Sequence, residues 1–103
     1  MKLIQELSEM VDDEIADAHK YAKCALAQKE QNPALARVFN DLSAAETQHM
    51  TILHTEATKL IEQYRQQHGD IPEGMKALYD YLHQKQIDKA AEVRNLQAMY
   101  RGA

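Results

Sequence analysis

The sequence predicts an all-α fold, an antiparallel helical hairpin followed by a third helix. Three observations carry this. Apolar residues recur at three- and four-residue spacing along nearly the whole chain, the period of a helix buried on one face. Of the 103 residues only three are Gly and two are Pro. Most of these helix breakers gather at two points, Pro33 and the segment Gly69 to Gly74, and the runs between are far too long for strands.

The first helix is expected over about 2–31. Leu3, Leu7, Met10, Val11, Ala18, Tyr21, Ala22 and Ala25 form its stripe, and Glu14 fills the step between Val11 and Ala18. Gln31-Asn32-Pro33 ends it, because Pro cannot continue a helix interior and disfavours helical geometry in the residue before it, yet suits the first turn of the next helix. The second helix, about 33–67, carries Leu35, Val38, Phe39, Leu42 and Ala45, then Glu46 and His49, then Ile52, Leu53, Leu60, Ile61 and Tyr64. At the second break Gly69 suits a left-handed helix end and Pro72 a helix start. The third helix, about 73–101, has a less regular stripe through Met75, Leu78, Tyr79, Leu82, Ile87, Ala90, Val93, Leu96 and Tyr100, and reads as a packing helix.

Polar groups interrupting a core stripe need partners, since isolated buried acids are costly. Glu46-Thr47-Gln48-His49 is a Glu-x-x-His, whose two ends share one helix face and can both reach a metal between helices. Reflecting Glu14 through a turn centred near residue 32 places it opposite about residue 50, within a turn of Glu46 and His49. The three can therefore converge on one ion.

Composition sets the outer bounds. A chain of this length is expected to form one domain, 1–103, and its 45% hydrophobic content includes no apolar run long enough to span a membrane. The start becomes charged too early for a secretory signal, and the single Cys24 permits no intramolecular disulfide, so a reducing cytoplasm is the expected setting. A net charge of −4 without a basic stripe argues against nucleic acid as a partner.

Glu14-Ile15-Ala16-Asp17-Ala18-His19-Lys20-Tyr21-Ala22 and Ala44-Ala45-Glu46-Thr47-Gln48-His49 resemble the first two helices of a rubrerythrin-type domain of the ferritin-like superfamily, over about 60 residues. That family takes Glu, Glu-x-x-His, Glu, Glu-x-x-His from successive helices of a four-helix bundle. This chain departs from it: Glu92-Val93-Arg94-Asn95 puts Asn where a second His would stand. The resemblance therefore implies a bundle completed by dimerisation, with Glu14, Glu46 and His49 repeated across a two-fold axis of a homodimer or a higher symmetric homo-oligomer. Short encapsulated ferritin-like proteins are similar in having one Glu and one Glu-x-x-His per chain. The ending Gln97 to Ala103 lacks an apolar, Gly-containing tail, so residence in an encapsulin shell is not expected.

Carboxylates with imidazole suit Fe(II), Mn(II) or Zn(II). The resemblance implies iron, two ions per dimer, and ferroxidase-type oxidation of Fe(II). Tyr21, two turns after Glu14, is a candidate to donate a hydrogen bond to a ligand or to carry an electron; the alternative is a core Tyr. One Cys cannot build a rubredoxin-type iron site, which makes an external electron donor the expected partner. Glu56 is too far along the second helix to share the metal, and reads as lining an ion access path or forming a structural pair. Glu92, on a mostly polar face, is a lesser candidate for a ligand or for a partner of one. His54 reads as a solvated surface residue. Two rival functions stay open: a metal-free helical interaction module in which Glu14, Glu46 and His49 fix helix register, and metal storage or sensing without oxidation.

Overall fold

A computed structural model describes residues 2–102. Met1 and Ala103, the two ends of the expected domain, lie outside them. The described residues form three helices and no strand: α1 (Lys2–Gln28), α2 (Pro33–His68) and α3 (Glu73–Arg101). The body is a rod of 55 × 19 × 18 Å, and its length is that of α2 alone at about 1.5 Å per residue.

α1 stops at Gln28, short of the expected residue 31. The Asn32 N–H donates to the Gln28 carbonyl at 2.8 Å, closing a turn over the three intervening residues. Pro33 keeps Asn32 out of helical geometry, and the freed Asn32 side chain accepts from the Leu35 N–H at 3.3 Å, so one residue ends the turn and caps α2. At the second break Gly69 takes φ +80°, where a side chain would be strained, and its N–H closes the end of α2 on the Arg65 carbonyl.

The order is up, down, up. Ser43 reaches Ala18 and Tyr21 stacks on Phe39, an antiparallel register for α1 and α2. Gln86 reaches Ser8 and Asp12, and Lys29 lies over the Tyr100 ring, so α3 runs parallel to α1. The α1–α2 pairing is the most extensive of the three and α2–α3 the slightest.

The seam between α1 and α2 is made of small side chains. Ala18, Ala22, Ala25, Ala36 and Ser43 are all buried, which lets the two backbones approach closely. The Ser43 hydroxyl donates to the Ala18 carbonyl at 2.7 Å and accepts from Gln97 Nε2 at 2.9 Å, tying all three helices at one level. A larger apolar cluster of Val11, Ile15, Ala18 and Val93, packed against Met50 and Leu53, seats α3 on the hairpin. Thr47, Thr51 and Thr55 each donate to the carbonyl four residues earlier in α2, and the Thr47 hydroxyl also accepts from Gln97 Nε2 of α3 at 3.3 Å.

This core differs from the expected stripes. Leu3, Met10, Leu35, Val38, Leu42 and Ile52, all placed on them, are exposed, whereas Ile15, Ala36, Ser43 and Ala57, which were not, are buried. The hairpin has two apolar sides. α3 covers the side carrying Ile15, and the six exposed residues remain on the other.

Candidate metal centre

Glu14, Glu46 and His49 meet. Each offers a ligand atom, and these atoms lie within 4.8 Å of one another. The small-residue seam explains why. Ser43 and Ala18 fix the hairpin register one turn from Glu46 and Glu14, and the close backbones bring Glu14 of α1 against the Glu-x-x-His face of α2.

His49 Nδ1 stands 3.6 Å from Glu14 Oε2 and 3.8 Å from Glu46 Oε2. Both separations are longer than a hydrogen bond, yet shorter than the roughly 4.2 Å spanned by two metal–ligand bonds laid end to end. Glu14 Oε2 is buried and accepts no hydrogen bond. A buried carboxylate oxygen with no donor is expensive, and a cation is the partner that would satisfy it. The donor chemistry and the orphaned oxygen both fit a divalent ion.

The cluster opens to one side. The side chains of Glu14 and Glu46 are 25% and 20% exposed, while His49 is 55% exposed on the face that α3 leaves bare. Exposed Met10 lies one turn before Glu14 along α1, and Leu42 and Ile52 flank the Glu-x-x-His along α2. Two carboxylates and one imidazole are too few for a pair of metal ions.

The other candidates fall elsewhere. Tyr21 stacks on Phe39 with ring centroids 6.4 Å apart, in the hairpin interface two turns from Glu14. Glu56 is exposed and pairs with Lys59 at 3.1 Å, so it is not among the converging ligands. Glu92 sits across the α1–α3 cleft, 3.9 Å from His19 Nε2, with Asp12, Asp13, Lys85 and Lys89 around the same hollow. That cleft is on the other side of α1 from Glu14, because α3 packs beside Ile15 and His19.

His54 departs from its expected solvated setting. Its Nε2 meets His83 Nε2 at 3.0 Å, and the two rings stack with centroids 5.0 Å apart. Position in a single helix could not reveal this pair, whose members are 29 residues apart in different helices. Ser43, Gln86 and Gln97 were missed for the same reason: their hydrogen bonds run between helices whose relative rotation the sequence does not specify. Comparison with known protein families, with characterised proteins and with solved structures finds no match to this chain.

Proposed function

We propose that this chain is one half of a ferritin-like di-metal carboxylate protein, in which two copies join their bare hairpin faces to form a four-helix bundle around Glu14, Glu46 and His49 of each. The observation that carries the reading is Glu14 Oε2, buried without a hydrogen-bond donor beside a second carboxylate and an imidazole, on an apolar face with no covering helix. Pairing that face would bury Leu3, Met10, Leu35, Val38, Leu42 and Ile52, at about 1.5–3 kcal/mol for each side chain fully removed from water.

In this reading Glu14 and Glu46 hold two divalent ions close together by offsetting their charge. His49 adds a nitrogen donor on each side, and the surrounding aliphatic residues keep water away. Iron is the metal proposed, with Mn(II) or Zn(II) as alternatives for the same donors. Fe(II) is then the substrate: two ions are oxidised to Fe(III), and O2 or peroxide takes up the two electrons with protons from solvent. Reduction of the product iron would fall to an external donor. Metal storage or sensing would use the same residues without the oxidation.

A second reading draws on the same bare face. A metal-free helical interaction module would also expose it, and the contacts of His49 with Glu14 and Glu46 would then fix the helix register. Anaerobic loading with Fe(II) followed by O2 separates the readings. The di-iron protein gives Fe(III) absorbance at two irons per dimer, Glu14→Ala abolishes it, and Glu92→Ala leaves most of it. Equal loss in both variants would mean that α3 supplies a ligand. Bound iron oxidised no faster than in protein-free buffer would favour storage or sensing, and no bound metal at all would favour the module.

A further inference from the structure

We propose a second cation site, independent of the first, in which His54 of α2 and His83 of α3 together bind one late first-row divalent ion, Cu(II), Ni(II) or Zn(II). The two Nε2 atoms already face one another at 3.0 Å. An ion about 2.0–2.1 Å from each nitrogen would see them at roughly 91–97°, close to the angle between adjacent positions of a square-planar or octahedral ion. The ring centroids are 5.0 Å apart while the two nitrogens are 3.0 Å apart, so the Nε2 edges are turned toward one another. Without an ion, one ring must donate its Nε2 proton to the other; with one, both carry the proton on Nδ1 and offer the Nε2 lone pair.

The surroundings leave room for the remaining ligands. A cavity of about 370 Å³ borders both rings, and Asp80, one turn before His83, lies on its wall. Burial first, and the neighbouring His83 second, push His54 below the ordinary histidine range, so this ring is neutral and available at neutral pH. The donors are nitrogen, in contrast to the carboxylate-rich cluster at Glu14, and the two sites therefore differ in the metals they prefer. An ion here would clip α3 to α2 across the slightest of the three helix pairings.

The test is calorimetric titration of the metal-free full chain with Cu(II) and with Zn(II), in the natural sequence and in His49→Ala, where the carboxylate cluster has lost a ligand. One ion per chain should still bind to His49→Ala. His54→Gln and His83→Gln should each weaken that binding at least about tenfold, since losing even an outer hydrogen-bond partner of a ligand costs about 10–100-fold. The Cu(II) form of His49→Ala should show nitrogen hyperfine structure by electron paramagnetic resonance. His83 is exposed, so His83→Gln should keep its helical circular dichroism. Undiminished affinity in that folded variant, or loss of all binding in His49→Ala, would overturn the proposal; if His83→Gln does not fold, copper without nitrogen coupling in His49→Ala does so equally.

Discussion

A carboxylate oxygen removed from water raises the energy of the fold until a donor or a cation meets it, and Glu14 Oε2 accepts no hydrogen bond, with His49 Nδ1 3.6 Å away. Its neighbour Glu46 is a like charge, which compounds the cost in the metal-free chain. Such a residue trades stability for binding. Glu14→Gln should therefore raise the stability of the chelator-treated chain by up to about 1 kcal/mol in urea unfolding, because the amide can donate to Glu46. The same variant should lose the stabilisation that metal confers on the natural sequence. A Glu14→Gln chain that is less stable without metal would show that the carboxylate is satisfied in the apo protein, as the interaction-module reading requires. The three converging residues were legible in the sequence because each interrupts an apolar stripe, and antiparallel counting through a turn centred near residue 32 brought them to one level. Glu92 and Glu56 lie apart from them for visible reasons: Glu92 faces His19 across the α1–α3 cleft, and Glu56 is drawn to Lys59 on its own helix.

Helices α1 and α2 hold together through an alanine seam, and this was the least legible part of the fold. Periodicity reports which residues are apolar on a face, and large residues dominate that signal. Close helix contact instead selects small ones, so Ala36 and Ser43 are buried while Leu35, Val38 and Leu42 are exposed. The helix number and the two breaks were legible because Pro and Gly act locally, through fixed φ or positive φ, and need no partner. How α3 lies was not. Its stripe is irregular, and its position rests on Val93 together with the Gln86 and Gln97 hydrogen bonds. The His54–His83 contact adds a pH dependence to this element. A histidine whose pKa is depressed in the folded state contributes stability that is fully present above its unfolded value of about 6.5 and is lost as pH falls below it. Arg65, Lys76 and Asp80 line the hollow on one side of the pair and Arg94 the groove on the other, so cations predominate around a second positive charge. The chelator-treated chain should lose stability between pH 7 and pH 5, and His83→Gln should flatten part of that slope in denaturant midpoints. A slope unchanged by His83→Gln would place the pH dependence elsewhere.

The whole molecule is a rod with one side of the hairpin covered by α3 and the other left bare. α3 covers the hairpin where Val11 and Ile15 face it, and no helix of the described residues is long and apolar enough to cross a membrane. Exposed Met10, Leu42 and Ile52 flank the Glu14, Glu46 and His49 cluster on the bare side. A two-fold axis through the cluster would complete both the core and the ligand set, which couples assembly to metal by mass action. Sedimentation of the His83→Gln chain, with metal content measured on the same sample, tests that coupling most directly because it leaves the carboxylate cluster as the site under study. The account predicts a dimer carrying two Fe(II) ions under anaerobic conditions, a shift toward monomer on chelation, and loss of both dimer and metal in Glu46→Ala. A monomer that retains one Fe(II) ion per chain at every protein concentration would contradict it.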